Sequence, residues 1–318
     1  MHNLFHFVQE KTIINDSKHA SCRRCVEATI AGTTTDKMIA PLLRKYSSQA
    51  SALQLAYDHL PGKNSQLSPV VILHGLFGSK LNNRTIGRGI NSNLGRDVYL
   101  VDLRNHGSSP QSPRHDYQSM RLDLEMFVDD HKLENPIVMG HSMGAKVAMQ
   151  ACLYNPKRYK MLISIENAPV NVMPNGKFVQ YIDLLERQVG HQVTLKTVEE
   201  RLSKLEKNEL VLKFLMTILR RDREGAIESK LPLGILREAI VKGKISEWDV
   251  KDRRYNGPSL FIRGTESAYI ADEYIVPIST YFPNFELRDV KGGHWINVEN
   301  SSACIEYISE FIDRKEDI

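Results

Sequence analysis

The sequence predicts an α/β fold in which a mostly parallel sheet is flanked by helices and interrupted by a helical insertion. Three observations carry that expectation. Continuous apolar runs such as Pro69-Val-Val-Ile-Leu-His74 are bounded by turn residues, as strands buried on both faces should be. Segments of helical periodicity lie between these runs, and strands alternating with helices build parallel sheets. After Pro169 the strand signal disappears and only helical patterns remain until Pro258.

Taken in order, Leu53 to Leu60 reads as an early strand and Pro69 to His74 as the next. Asp97 to Leu103 follows, closed by the polar turn Arg104-Asn-His-Gly-Ser-Ser-Pro110. Leu122 and Met126 suggest a helix before Asn135-Pro136. Ile137-Val138-Met139 is a short strand, Ala145 to Leu153 a helix, and Leu162 to Ile165 another strand. In the insertion, Phe178, Ile182, Leu185 and Val189 share one helical face. Thr197 with Glu200 has the spacing of a capping box, and Leu210 to Leu219 and Leu231 to Val241 continue as helices. The sheet resumes at Pro258 to Ile262 and ends at Phe285 to Val290, with a closing helix from about Ser302 to Phe311.

Composition narrows the function. The 318 residues carry 42 basic and 38 acidic groups, with 42% hydrophobic content, an ordinary globular balance. Seven of the basic groups and four of the acids precede Ser47, so the body is nearly neutral and offers no electrostatic case for nucleic acid. The longest apolar stretch is far shorter than the roughly 20 residues of a membrane span. Four cysteines make no disulfide scaffold. The pair Cys22-x-x-Cys25 has no second pair to complete a zinc site. Upstream of the body, Met38 to Ser48 is basic and apolar and contains Arg44-x-Tyr46 before Ser47-Ser48, which is similar to a mitochondrial presequence; the acids Glu10, Asp16, Glu27 and Asp36 depart from that pattern. Residues 1–46 are therefore expected to be a targeting segment and the protein mitochondrial.

Gly140-His-Ser-Met-Gly144 has the G-x-S-x-G form of a nucleophile elbow, and it joins a strand to a helix as such a turn must. Ser142 is the expected nucleophile. A serine hydroxyl needs a base, and His294 follows the last strand in Gly292-Gly-His-Trp295. His141 is read as support pointing away from the elbow, and His74, His106 and His115 as loop residues without a proton to move. The acid has two candidate locations. Glu266 or Asp272 follows the strand after the insertion, whereas Glu166 emerges directly from an apolar strand in Ile165-Glu-Asn-Ala-Pro169 and is preferred. An oxyanion would be held by the backbone N–H groups of Met143 and of Leu76 in His74-Gly-Leu-Phe-Gly78. A serine in this place excludes dehalogenase and epoxide hydrolase chemistry, which needs a carboxylate nucleophile.

With these residues assembled, the chain resembles the α/β-hydrolase superfamily over roughly Leu53 to Ile312. Within it, the similarity is to YbfF-like esterases and the mitochondrial abhydrolase branch that includes yeast ethanol acetyltransferases. The segments that carry it are His74-Gly-Leu-Phe-Gly-Ser79, Asp102-Leu-Arg-Asn-His-Gly107, Gly140-His-Ser-Met-Gly-Ala-Lys146, Ile165-Glu-Asn-Ala-Pro-Val170, Phe261-Ile-Arg-Gly264 and Gly293-His-Trp295. The resemblance implies a hydrolase domain over 47–318 with a helical cap at about 170–256, and an acid at Glu166. That position is commonly Asp in the branch, and Ala145 stands where a third Gly is common. It further implies acetyl transfer from acetyl-CoA to ethanol, with thioester and ester hydrolysis as side activities. Acetyl-CoA would be a substrate, and no cofactor, metal or nucleic acid partner is implied. A plain serine esterase or thioesterase remains the alternative, and a non-catalytic binding module is disfavoured by the intact Ser142 and His294.

Overall fold

The computed structural model describes residues 52–172 and 176–316. The presequence-like segment and the Cys22/Cys25 pair lie outside them. Seven strands form one sheet: β1 (Tyr57–Leu60), β2 (Val70–Leu73), β3 (Val98–Val101), β4 (Ile137–His141), β5 (Met161–Ile165), and, after the insertion, two strands at Ser259–Gly264 and Phe285–Val290. Their spatial order places β3 between β1 and β2, then β4, β5 and the last two. Only β1 runs antiparallel, paired on β3 from Tyr57 opposite Val101 to Leu60 opposite Val98. All other pairs are parallel, with Val70 opposite Ile137 and Ile137 opposite Met161. The expected α/β-hydrolase sheet is present.

The alternation of side chains divides the core. Val70 and Ile72 face α1 (Arg84–Leu94) and the C-terminal helix Ser301–Glu316, in a cluster with Ile86, Ile90, Ile308 and Phe311. Val71 and Leu73 face the other side, where α2 (Tyr117–Asp130) and α3 (Met143–Tyr154) bring Met120, Leu124, Val147 and Ala151. Strands β2, β4 and β5 are buried at every position, which is why they read as unbroken apolar runs. At a typical 1.5–3 kcal/mol per fully buried aliphatic side chain, this two-sided core is the main source of stability.

The insertion holds α4 (Lys177–Glu186), α5 (Leu195–Leu202), α6 (Glu209–Met216), the strands β6 (Leu219–Arg221) and β7 (Ile227–Ser229), and α7 (Leu233–Val241). Its apolar faces, including Phe178, Ile182, Val211, Leu215 and Leu236, join the same cluster as α3. The sheet strands after it are β8 (Ser259–Gly264) and β9 (Phe285–Val290), with α8 (Ile275–Tyr281) between them in sequence and α9 (Ile296–Glu299) and α10 (Ser301–Glu316) after them.

Three local expectations are corrected. The insertion is not purely helical, because β6 and β7 form an antiparallel hairpin with Leu219 opposite Ser229. Asp222 accepts from the N–H groups of Glu224 and Ala226, and Gly225 takes φ 84°, so the polar Asp222-Arg-Glu-Gly225 stretch turns the chain instead of prolonging α6. The cap of α5 is Thr194, whose hydroxyl accepts from the Thr197 N–H at 3.0 Å, and Thr197 lies inside the helix. Finally, the first strand starts only at Tyr57. The Leu53 N–H is bound by Asp123 Oδ1 and the Ala56 N–H by Ser109 Oγ, so side chains take the donors a longer ladder would use.

Candidate active site

The carboxyl ends of β2, β4, β5, β8 and β9 bring together the residues singled out by sequence. Ser142 sits between β4 and α3 with φ 53° and ψ −116°, a conformation that L-residues avoid and that holds its side chain out of the turn. The flanking glycines are required by contact. A Cβ on Gly140 would lie 2.2 Å from the Gly144 carbonyl carbon, and one on Gly144 would lie 2.6 Å from the His74 carbonyl oxygen. The turn is tied down further by Asn167, whose Nδ2 donates to the Ser142 carbonyl at 3.0 Å.

Ser142 Oγ lies 2.8 Å from His294 Nε2, and His294 Nδ1 lies 3.1 Å from Glu166 Oε2. Glu166 is fully buried at the end of β5, at φ 58°. Its other partners are the Gly264 N–H, which donates to Oε1 at 2.6 Å, and the Ser267 hydroxyl, which donates to Oε2. Glu266 is exposed, and Asp272 is exposed and paired with Arg263 at 2.6 Å. Of the three carboxylates weighed from sequence, the one in contact with the histidine is Glu166. Burial raises its carboxyl above the usual range, while the bonds from Ser267 and Gly264 pull the other way. Burial also lowers His294 from 6.5 to about 3, so its imidazole is neutral at pH 7. A neutral ring with Nδ1–H donating to Glu166 leaves Nε2 free to accept from Ser142, the state a general base must have.

The supporting histidines are more interesting than sequence suggested. His141 lines the same cavity rather than pointing away, and its Nε2–H donates to the His294 carbonyl at 2.7 Å, which fixes the histidine loop. His74 Nδ1–H donates to the Gly75 carbonyl while its Nε2 accepts from the Leu103 N–H at 3.0 Å. His106 donates from Nδ1 to the Arg104 carbonyl and accepts at Nε2 from the Phe77 N–H at 3.1 Å. Backbone N–H donors therefore fix both tautomers, and the His106 bond holds Phe77 at φ 65°. This shapes the Gly75–Gly78 loop so that Leu76 borders the cavity beside Ser142. Among the described residues, neither the Leu76 nor the Met143 N–H meets a protein acceptor. Met143 is the first residue of α3, where an N–H has no intrahelical partner. Tyr269, unremarked in the sequence, stacks on the His294 ring at 3.8 Å between centroids.

The cavity above Ser142 has a volume of about 270 Å³. Leu76, Trp295 and Val298 line it from the hydrolase body, and Phe178, Leu210 and Phe214 from the insertion. Beneath the insertion, Lys146 is buried and donates from Nζ to the Ser246 carbonyl at 3.0 Å; burial lowers its amine to about 7.

Five histidines, His74, His106, His115, His141 and His294, are all pushed below 6.5 by burial. The unfolded chain thus binds more protons than the native one at mildly acidic pH. Stability is fully present above pH 6.5 and falls as pH drops toward the native values. Glu166 and Asp123, raised by burial, act in the opposite sense, but only near the carboxylate range. Urea unfolding should show a stability lower by several kcal/mol at pH 5.5 than at pH 7.5; equal midpoints would contradict the buried neutral histidines.

Residues 68–301 match the alpha/beta hydrolase fold family. The chain belongs to that family. It is also 48% identical over 267 residues to a probable alcohol acetyltransferase of Saccharomyces cerevisiae, covering 78% of each chain. An sn-1-specific diacylglycerol lipase of Mus musculus is 31% identical, over 82% of this chain and 85% of its own. Among solved structures, a marine microorganism esterase superimposes with a TM-score of 0.74 at 30% identity, covering 82% of this chain and all of that one. The chain is thus an enzyme of the α/β-hydrolase family, and no described helix is long and apolar enough to cross a membrane.

Proposed function

We propose that this hydrolase is an alcohol O-acetyltransferase that makes ethyl acetate from acetyl-CoA and ethanol through an acetyl-Ser142 intermediate, with thioesterase and esterase side activity. The observation that carries the reading is the hydrogen-bonded series Ser142–His294–Glu166 opening into a small, mostly apolar cavity. The resemblance to the yeast acetyltransferase supports the choice of acyl donor and acceptor.

Ser142 Oγ attacks the thioester carbonyl as His294 Nε2 takes its proton. The negative oxygen is received by the Leu76 and Met143 N–H groups, and Glu166 stabilises the imidazolium. The carbon–sulfur bond breaks, and the proton on His294 leaves with the CoA sulfur. Ethanol then gives its proton to Nε2 while its oxygen attacks the acetyl ester, and ethyl acetate departs as Ser142 recovers its proton.

Water can take the same path. The cavity walls bias the choice, since burying ethanol's alkyl group gains roughly 0.8 kcal/mol per methylene. That is modest, so hydrolysis persists at low alcohol. With acetyl-CoA present, rising ethanol should increase ethyl acetate and lower free acetate, with CoA released throughout. Acetate alone at every ethanol concentration would leave a serine thioesterase or esterase and exclude the transferase.

A further inference from the structure

The cavity above Ser142 contains a polar pair that the proposed chemistry does not use. Asn83 follows the Gly75–Gly78 loop and Asn297 lies on α9, and both line the cavity. They are 1% and 4% exposed. Asn297 Nδ2 donates to Asn83 Oδ1 at a long 3.4 Å, which leaves Asn83 Nδ2 and Asn297 Oδ1 without a partner among the described residues. Turning both carboxamides over exchanges these roles but not the result. In either arrangement one uncharged donor and one uncharged acceptor are left over. Buried polar groups are nearly always paired, because leaving them unpaired destabilises the fold.

A ligand that satisfies the pair must be neutral and must offer both an acceptor and a donor. Acetyl and ethanol have no such group to spare. The acetyl oxygen is taken by the Leu76 and Met143 N–H groups and the alcohol hydroxyl by His294. An acyl-CoA thioester does have one, since its pantetheine arm carries a secondary amide two methylenes from the sulfur. We infer that Asn83 and Asn297 bind this amide and so select thioesters carried on a pantetheine arm. The inference rests on the acetyl-CoA reading above. The free hydroxyl of a partial glyceride has the same donor–acceptor chemistry and is the competing source.

The test compares kcat/KM for S-acetyl-pantetheine, S-ethyl thioacetate, which lacks the amide, and glyceryl monoacetate, in the wild type and the double variant Asn83→Leu/Asn297→Leu. Removing both members leaves no orphaned partner, so the fold should tolerate the change, and retained S-ethyl thioacetate turnover reports that it does. The wild type should prefer S-acetyl-pantetheine over S-ethyl thioacetate by roughly tenfold or more, and the double variant should lose that preference through KM, with S-ethyl thioacetate changed by less than about threefold. Asn297→Asp, which keeps the shape but not the neutral amide, should show the same loss and serves if the double variant fails to fold. A preference that survives both variants overturns the inference, as does a loss confined to glyceryl monoacetate. Failure of the acetyl-CoA reading is seen separately, as a wild type inert to both thioesters while it hydrolyses glyceryl monoacetate.

Discussion

Ser142→Ala is expected to lower kcat by roughly 10⁶, the usual cost of losing a serine nucleophile, while leaving the fold unchanged. The substitution removes Oγ and its 2.8 Å contact with His294 and nothing else. Alanine has to adopt the same φ of 53°, so the turn keeps its strain, and the glycines that the tight turn requires, Gly140 and Gly144, are untouched. Residual turnover comes only from the oxyanion donors and binding. A serine-directed phosphonate should label Ser142 in the wild type and nothing in the variant. Steady turnover by the variant, or label at another serine, would mean that the elbow is not the reacting centre.

Much of this site is legible in the sequence because its members sit at element ends. Ser142 lies in a motif whose two glycines are dictated by backbone contact, and Glu166 and His294 each follow an apolar strand in the expected chain order. The Gly75–Gly78 loop that brings Leu76 to the cavity is legible for the same reason. What escapes the sequence is pairing across long separations. Ser267 meets Glu166 from 101 residues away, and nothing in the Thr265-Glu-Ser267 stretch distinguishes the serine that reaches Glu166 from the glutamate that stays exposed. The roles of His74 and His106 depend on N–H groups of Leu103 and Phe77, each 29 residues distant, so local reading leaves these rings idle. His141 deceives for a different reason. Alternation along β4 suggests that it turns away from the serine, but it lines the same cavity and donates its Nε2–H to the His294 carbonyl. In the insertion, apolar residues at Ile218 and Leu219 continue a helical pattern. Only the satisfied Asp222 turn and the partner strand at Ile227 make them a hairpin.

Glu166 provides the sharper test of how the site works, because sequence alone left Glu266 and Asp272 beside it. Glu166→Gln should lower kcat by roughly 10³–10⁴ with little change in KM. The carboxamide has nearly the same shape, and its oxygen can still accept from the Gly264 N–H. Its NH₂ then stands where Oε2 was, against both His294 Nδ1 and the Ser267 hydroxyl. Facing Nδ1, it donates where the carboxylate accepted. The ring then carries its proton on Nε2, which can no longer accept from Ser142, and no negative charge is left to stabilise the imidazolium. Glu266→Gln, by contrast, changes an exposed side chain and should leave kcat within about twofold. Burial of His294 also predicts that the acid limb of the wild-type kcat/KM profile lies below pH 6.5. The pair of variants separates orientation from general electrostatics. An equal loss in both would implicate charge around the loop, and a loss only in the Glu266 variant would move the acid to the strand after the insertion.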